Sequence, residues 1–184
     1  MRLILQLDDP ALPTDWDMIN PQPSVGRVQK IPDNAGRSAQ PRTPRACLGN
    51  AFGSICAGAV GTGRNTTDIP MRDIVELMLA VNAQAYSFEA GNVRHEHEWK
   101  VWQDIELPDD KLLLPGVVSH ATKVVEHPEL VAERIIRFAN LVGRERVIAS
   151  TDCGLCGRVH PQIAWAKLEA LVDGAALATR QLWG

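Results

Sequence analysis

The sequence has no apolar run that approaches the ~20 residues a bilayer-spanning helix needs, so a helical membrane protein is not expected. It has little imbalance of charge: 19 basic against 22 acidic residues leave a net charge of -3, with the two signs interspersed. No basic stripe is present for nucleic acid, and no polybasic patch for a membrane surface. The opening Met1-Arg2-Leu3-Ile4-Leu5-Gln6-Leu7-Asp8-Asp9-Pro10 has one base and a short apolar run cut off by two acids. It reads as a strand rather than a secretory leader. Cysteine is scarce, at Cys47, Cys56, Cys153 and Cys156. In a chain of cytoplasmic character these read as thiols or metal ligands before disulfides. Two local absences are sharper. No histidine precedes His95, and from Ala35 to Thr67 there is neither Asp nor Glu, while Gly, Ala, Arg and Pro abound. A segment of that composition buries little surface and reads as loop or disorder.

What is present is an alternation of strands and helices. A first strand covers Leu3–Leu7. Asp68-Ile69-Pro70 opens a helix with an acidic N-cap and an early proline, and Ile74, Leu77, Met78 and Val81 form its apolar face. Strands are expected at 85–89, 112–118 and 146–151. A helix runs from Pro128 to the C-cap Gly143, and a last one from about Pro161 carries Ile163, Trp165, Leu168, Leu171, Val172 and Leu177. This is a β/α series of the parallel-barrel kind. A closed eight-stranded barrel typically takes ~250 residues, so the expectation is an α/β chain holding about the last five strands of a (β/α)8 barrel, as one partial domain over 1–184.

Two of these strands end on candidate ligands. Ala85-Tyr86-Ser87-Phe88-Glu89 runs into Ala90-Gly91-Asn92, and Val147-Ile148-Ala149-Ser150-Thr151 into Asp152-Cys153-Gly154. Parallel α/β sheets carry their working residues at the C-terminal ends of strands, so Glu89 and Cys153 read as two ligands of one zinc site. A small cysteine at a strand end also reads as a packed apolar residue. Cys153-Gly-Leu-Cys156 has redox or zinc-knuckle spacing, though one such pair carries little.

Taken in order, Gln6-Leu7-Asp8-Asp9-Pro10, Ser87-Phe88-Glu89-Ala90-Gly91-Asn92, His95-Glu96-His97-Glu98-Trp99, Val125-Glu126-His127-Pro128-Glu129 and Ser150-Thr151-Asp152-Cys153-Gly154 resemble the C-terminal catalytic part of the cobalamin-independent methionine synthase family, over residues 1–24 and 66–184. The resemblance implies a β/α barrel whose zinc binds the thiol of homocysteine, which as thiolate accepts a methyl group from a methyl-folate. Zinc lowers the pKa of a bound thiol, and a catalytic zinc keeps one exchangeable position beside its protein ligands. The family's ligands are the His and Cys of an H-x-C motif, a Glu after the next strand and a Cys on the last. Glu89 and Cys153 match the last two. Asp8 matches the acid that holds the substrate amino group, and His120, at the end of 112–118, stands near the family's proton donor and suits a general acid. Thr14 stands about where larger members have a folate-contacting Glu.

The H-x-C pair is missing. Counted back from Asp68, its His falls at Ile55 and its Cys at Ala57; Cys56 is one place away and would ligate only after local rearrangement, on the wrong face of a strand. Cys47 is too far upstream. One codon choice for Gly53–Gly63, read one base earlier from Ser54, translates as F-H-L-C-W-G-S-W-H-G, which contains the motif. Residues 35–65 are therefore expected to be out of frame, between two compensating small insertions or deletions. Three readings follow: a zinc-dependent homocysteine methyltransferase, a related zinc thiol alkyltransferase of the epoxide:coenzyme M type, or a non-catalytic remnant whose exposed barrel edges favour self-association. The expected partners are small molecules, a homocysteine-like thiol and a methyl-folate. The alternating His95-Glu96-His97-Glu98 reads as a solvated or substrate-contacting run before a metal site. Trp99, Trp102 and Trp165 read as core or rim aromatics.

Overall fold

The structure, a computed structural model, describes residues 5–8 and 51–55 as backbone strands and residues 69–184 apart from 156. It forms two compact units, Met1–Tyr86 and Ser87–Gly184.

In the first unit β1 (Leu5–Asp8) and β2 (Ala51–Ile55) pair in parallel, from Leu5 opposite Ala51 to Asp8 opposite Ser54. β1 ends on the acid picked out from the sequence, and β2 ends at Ile55, where the missing His is counted to fall. The Asp8 side chain, Cys56 and the rest of 35–65 lie outside the described residues. Helix α1 (Met71–Ala80) buries Met71, Ile74, Val75 and Met78 on one face, the spacing of an amphipathic helix. It starts two residues later than an Asp68 N-cap implies. Pro70 is the N-cap, with φ -58° and ψ 139°, because its extended ψ places it outside the first helical turn. Expected Asp68 lies outside the described residues, and the acid in the first turn is Asp73. Past the helix the Tyr86 hydroxyl donates to the carbonyls of Leu79 (3.2 Å) and Val81 (2.9 Å). Tyr86→Phe should cost about 1 kcal/mol in urea denaturation, the usual net worth of such bonding.

β3 (Ala85–Glu89) leads into the second unit, where the strand order is β3-β4-β5. β4 (Leu112–Val118) and β5 (Ser150–Thr151) are parallel, pairing Gly116 with Ser150 and Val118 with Thr151. The strand expected at 146–151 is thus shorter. Its start is a 3-10 turn, Arg144–Arg146, and a single bridge joins Val147 to Leu113 before a register shift interrupts the ladder. Two long helices cover this unit, α3 (Pro128–Val142) and α4 (Pro161–Trp183), after a short α2 (Val101–Asp104). Both long helices open on His-Pro. The histidine Nδ1 accepts the backbone N–H two residues on, His127 from Glu129 and His160 from Gln162, and the proline fills N1, where its lost N–H has no helical partner. α3 stops at Gly143, whose φ of 102° a β-carbon would strain.

Val117 and Val118 of β4 pack with Val131, Ala132 and Ile135 of α3 and Ala178 of α4. Phe88 stacks on Trp102 and meets Phe138 edge-on, with centroids 5.6 and 5.8 Å away. α4 departs from the apolar face read in the sequence. Its buried stripe is Lys167, Ala170, Gly174 and Ala178, whereas Trp165 is 68 % and Val172 66 % exposed. The cause is close packing on α3: a β-carbon on Gly174 would stand 2.5 Å from Val131 Cβ and 2.9 Å from the Pro128 carbonyl. Small residues must face that contact; Leu171 and Leu177 pack half-buried beside it, and Trp165 and Val172 are turned outward. No helix among the described residues is long and apolar enough to cross a membrane.

Candidate functional site

Three neighbouring strand ends in the second unit deliver the polar residues. Glu89 closes β3, with its side chain buried. Ser119 and His120, both buried, follow β4. Asp152 and Cys153 follow β5, the acid buried and the thiol half-buried. The Asp152 N–H donates to the Val118 carbonyl at 2.9 Å, so the ends of β4 and β5 are tied by backbone.

Asp152 is the hub. Its Oδ1 accepts from the backbone N–H groups of Ala90 (2.9 Å) and Gly91 (2.7 Å), and its Oδ2 accepts from Asn92 Nδ2 at 3.1 Å. The same amide nitrogen donates to Glu89 Oε2 at 2.8 Å, so one Asn92 side chain joins the two carboxylates. Asn92 Oδ1 meanwhile accepts from the N–H groups of Arg94 (3.0 Å) and His95 (3.3 Å), the local turn that asparagine supports well. Burial pushes the Asp152 carboxyl above the usual carboxylate range, against the hydrogen bonds from Gly91, Ala90 and Asn92 and the nearby His95, which pull it down. Glycine is required at 91, since a β-carbon there would stand 2.9 Å from the Val117 carbonyl carbon and 3.0 Å from the Val118 nitrogen.

The His95-Glu96-His97-Glu98 run is not a solvated loop throughout, which corrects the sequence reading. His95 is buried, its Nδ1 2.9 Å from Glu98 Oε2 and its Nε2 3.9 Å from Glu89 Oε2. Glu96 pairs with the buried Arg134 at 3.0 Å, and Arg134 also donates to the Val117 carbonyl. Alternation along the run puts successive side chains into different surroundings because residues 96–100 form a 3-10 helix. Trp102 is a core aromatic as expected, and Trp99 lies under the Arg137 guanidinium at 5.3 Å, but Trp165 is exposed.

Of the residues chosen from the sequence, Glu89 and Cys153 both stand at strand ends, and Asn92 joins Glu89 to Asp152, the residue before Cys153. His120 ends the strand between them. Asp8 belongs to the first unit, and Cys56 lies outside the described residues. Asn92, Asp152 and His95 were missed as contributors, although Ala90-Gly91-Asn92 and Thr151-Asp152-Cys153 are the two strand-end motifs themselves. Among the described residues no three His, Cys, Asp or Glu side chains gather so as to hold a metal ion. A zinc ion therefore does not fit the described residues alone: no set of three ligand side chains forms among them, and the Glu89 carboxylate is engaged by Asn92.

No family model matches the chain. It is 34 % identical over 82 residues to the 2-hydroxypropyl-CoM lyase of Xanthobacter autotrophicus, covering 45 % of this chain and 22 % of that protein. Its structure is similar to that of a B12-independent methionine synthase from Shewanella sp. W3-18-1, solved in complex with selenomethionine, with TM-score 0.65 and 19 % identity. That match covers 97 % of this chain and 49 % of the other, so the chain spans about half the length of the solved enzyme and under a quarter of the curated relative. At this identity the likeness concerns the fold: the chain is α/β and forms part of a TIM-type (β/α)8 barrel.

Proposed function

We propose that this chain derives from a zinc-dependent thiol alkyltransferase, in the first instance a homocysteine methyltransferase using a methyl-folate, and that as written it does not complete the metal site. The observation that carries the reading is the placement of Glu89 and Asp152-Cys153 at the ends of β3 and β5, joined by the shared Asn92 amide. In this reading Glu89 and Cys153 are ligands of the zinc, and Asp8 holds the amino group of the substrate. His120, buried at the end of β4, supplies a proton to the leaving group. Among the described residues no group closes a catalytic zinc site, which takes three or four protein ligands; in this reading the remaining two are the H-x-C pair counted to fall at Ile55 and Ala57, with Cys56 one place away. The working compartment is the cytoplasm and the partners are small molecules.

The similarity to a 2-hydroxypropyl-CoM lyase supports a second electrophile, an epoxide opened by the thiolate of coenzyme M. A non-catalytic, self-associating remnant is the third reading. One experiment separates them. A chain carrying F-H-L-C-W-G-S-W-H-G at residues 54–63 is compared with the chain as written for zinc affinity and for both reactions. The replaced chain should bind zinc at least about tenfold more tightly, the order of change expected when a metal site gains support, and Cys153→Ala should abolish that gain. Homocysteine methylation then favours the first reading, epoxide opening the second. Equal, weak zinc binding by both chains leaves the remnant.

A further inference from the structure

Lys167 is a residue that the proposed chemistry does not use, yet it is wholly buried on α4. Its ammonium lies 2.8 Å from Glu126 Oε2 and donates as well to the Val124 carbonyl. Taking an ammonium and a carboxylate out of water is unfavourable, and an apolar residue of similar volume would serve packing at least as well. The pair thus suggests a role other than filling space. Glu126 is placed to have one. Its second oxygen, Oε1, accepts the Ser119 N–H at 2.8 Å. Ser119 Oγ in turn accepts the Ala121 N–H at 3.1 Å. His120 therefore stands between two residues whose amides are both anchored, one of them through a carboxylate that the buried lysine fixes. The segment concerned, 119–127, joins the end of β4 to the N-cap of α3, and its last carbonyl, that of His127, accepts the helical N–H of Val131 at 3.1 Å.

We infer that Lys167 is a positioning residue for His120, acting through Glu126 and the Ser119 amide to set the imidazole at the mouth of β4. Lys167 touches no reacting group. The functional meaning rests on the proposed role of His120, but the physical coupling does not.

The test is made on the full chain labelled with nitrogen-15. The His120 ring signals are assigned with His120→Gln, and amide exchange is followed at Ser119 and Ala121. In Lys167→Met the Ser119 amide should exchange at least tenfold faster, and the His120 ring signals should shift or broaden, while those of His95 at the end of β3 stay in place. A folded Lys167→Met chain with unchanged Ser119 protection and unchanged His120 signals overturns the inference. Should Lys167→Met not fold, the pair Lys167→Met with Glu126→Gln removes both buried charges. The His120 signals should move there too, and if they match the parent the inference is equally overturned. Failure of the proton-donor reading looks different. In the zinc-restored chain, His120→Gln would then keep full turnover, with the coupling between Lys167 and His120 unaffected.

Discussion

Asp152→Ala should lower stability by about 3 kcal/mol and release Glu89 from its fixed orientation. Three buried donors now converge on that carboxylate, the N–H groups of Ala90 and Gly91 and the Asn92 amide. Each buried donor left without an acceptor costs about 1–3 kcal/mol, and water can reach some of them once the side chain is gone. The opposing term is the desolvation of Asp152 itself, which burial makes unfavourable and which its removal relieves. The orphaned donors outnumber that single gain, so the net sign is destabilising. Asp152→Asn should be milder, because its carbonyl oxygen can keep the two backbone donors while its amino group faces the amide of Asn92. Urea denaturation measures the difference, and hydrogen exchange at Ala90 and Gly91 locates it. A stability for Asp152→Ala within about 0.5 kcal/mol of the parent, the range of ordinary surface changes, would show that these bonds contribute nothing.

Gly116→Ala should be at least as severe, through sterics rather than hydrogen bonding. A β-carbon at 116 would stand 2.5 Å from Asp152 Oδ1 and 2.6 Å from the Asp152 backbone nitrogen. Real β-carbons essentially never come within 3.0 Å of such atoms, and a backbone nitrogen cannot rotate aside. β5 would have to move off β4, breaking the 2.9 Å bond from the Asp152 N–H to the Val118 carbonyl and displacing Cys153 with it. Overpacking of this kind costs about 3 kcal/mol or more, on the order of 10 °C in melting temperature for a chain of this size. Gly154→Ala is the control. It lies just beyond the same strand with nothing within 4 Å, and its melting temperature should stay within about 2 °C of the parent. Equal melting temperatures for the two variants would sink the claim that β4 and β5 meet through a glycine-only contact.

Both effects arise where the sequence was partly legible. The strand-end positions of Glu89 and Cys153 follow from apolar runs that stop on polar residues, and the structure places them there. The hydrogen-bond partners do not follow. Asp152 lies 61 and 62 residues from the amides it accepts, and nothing local in Thr151-Asp152-Cys153 names them. The His95–Glu98 run shows a different failure. Its alternating composition reads as a solvated or substrate-contacting run, but His95 is buried at the N-cap of a 3-10 helix and Glu96 meets Arg134, 38 residues ahead.

By itself the sequence determined the kinds and limits of most elements: the proline starts of α3 and α4, the glycine stop at 143, the strands at 85–89 and 112–118, and the acid and thiol that end β3 and β5. Those features rest on local physics, on proline's fixed φ, capping oxygens and nitrogens, and the period of apolar residues. Only the tertiary structure decided which face of α4 is buried, why a lysine belongs in the core, and which side chains share Asn92. Hydrophobicity ranks residues one at a time, whereas burial depends on what lies opposite. Val131 admits only a glycine at 174, and Glu126, 41 residues before Lys167, makes a buried ammonium tolerable at a position outside the apolar face read from the sequence.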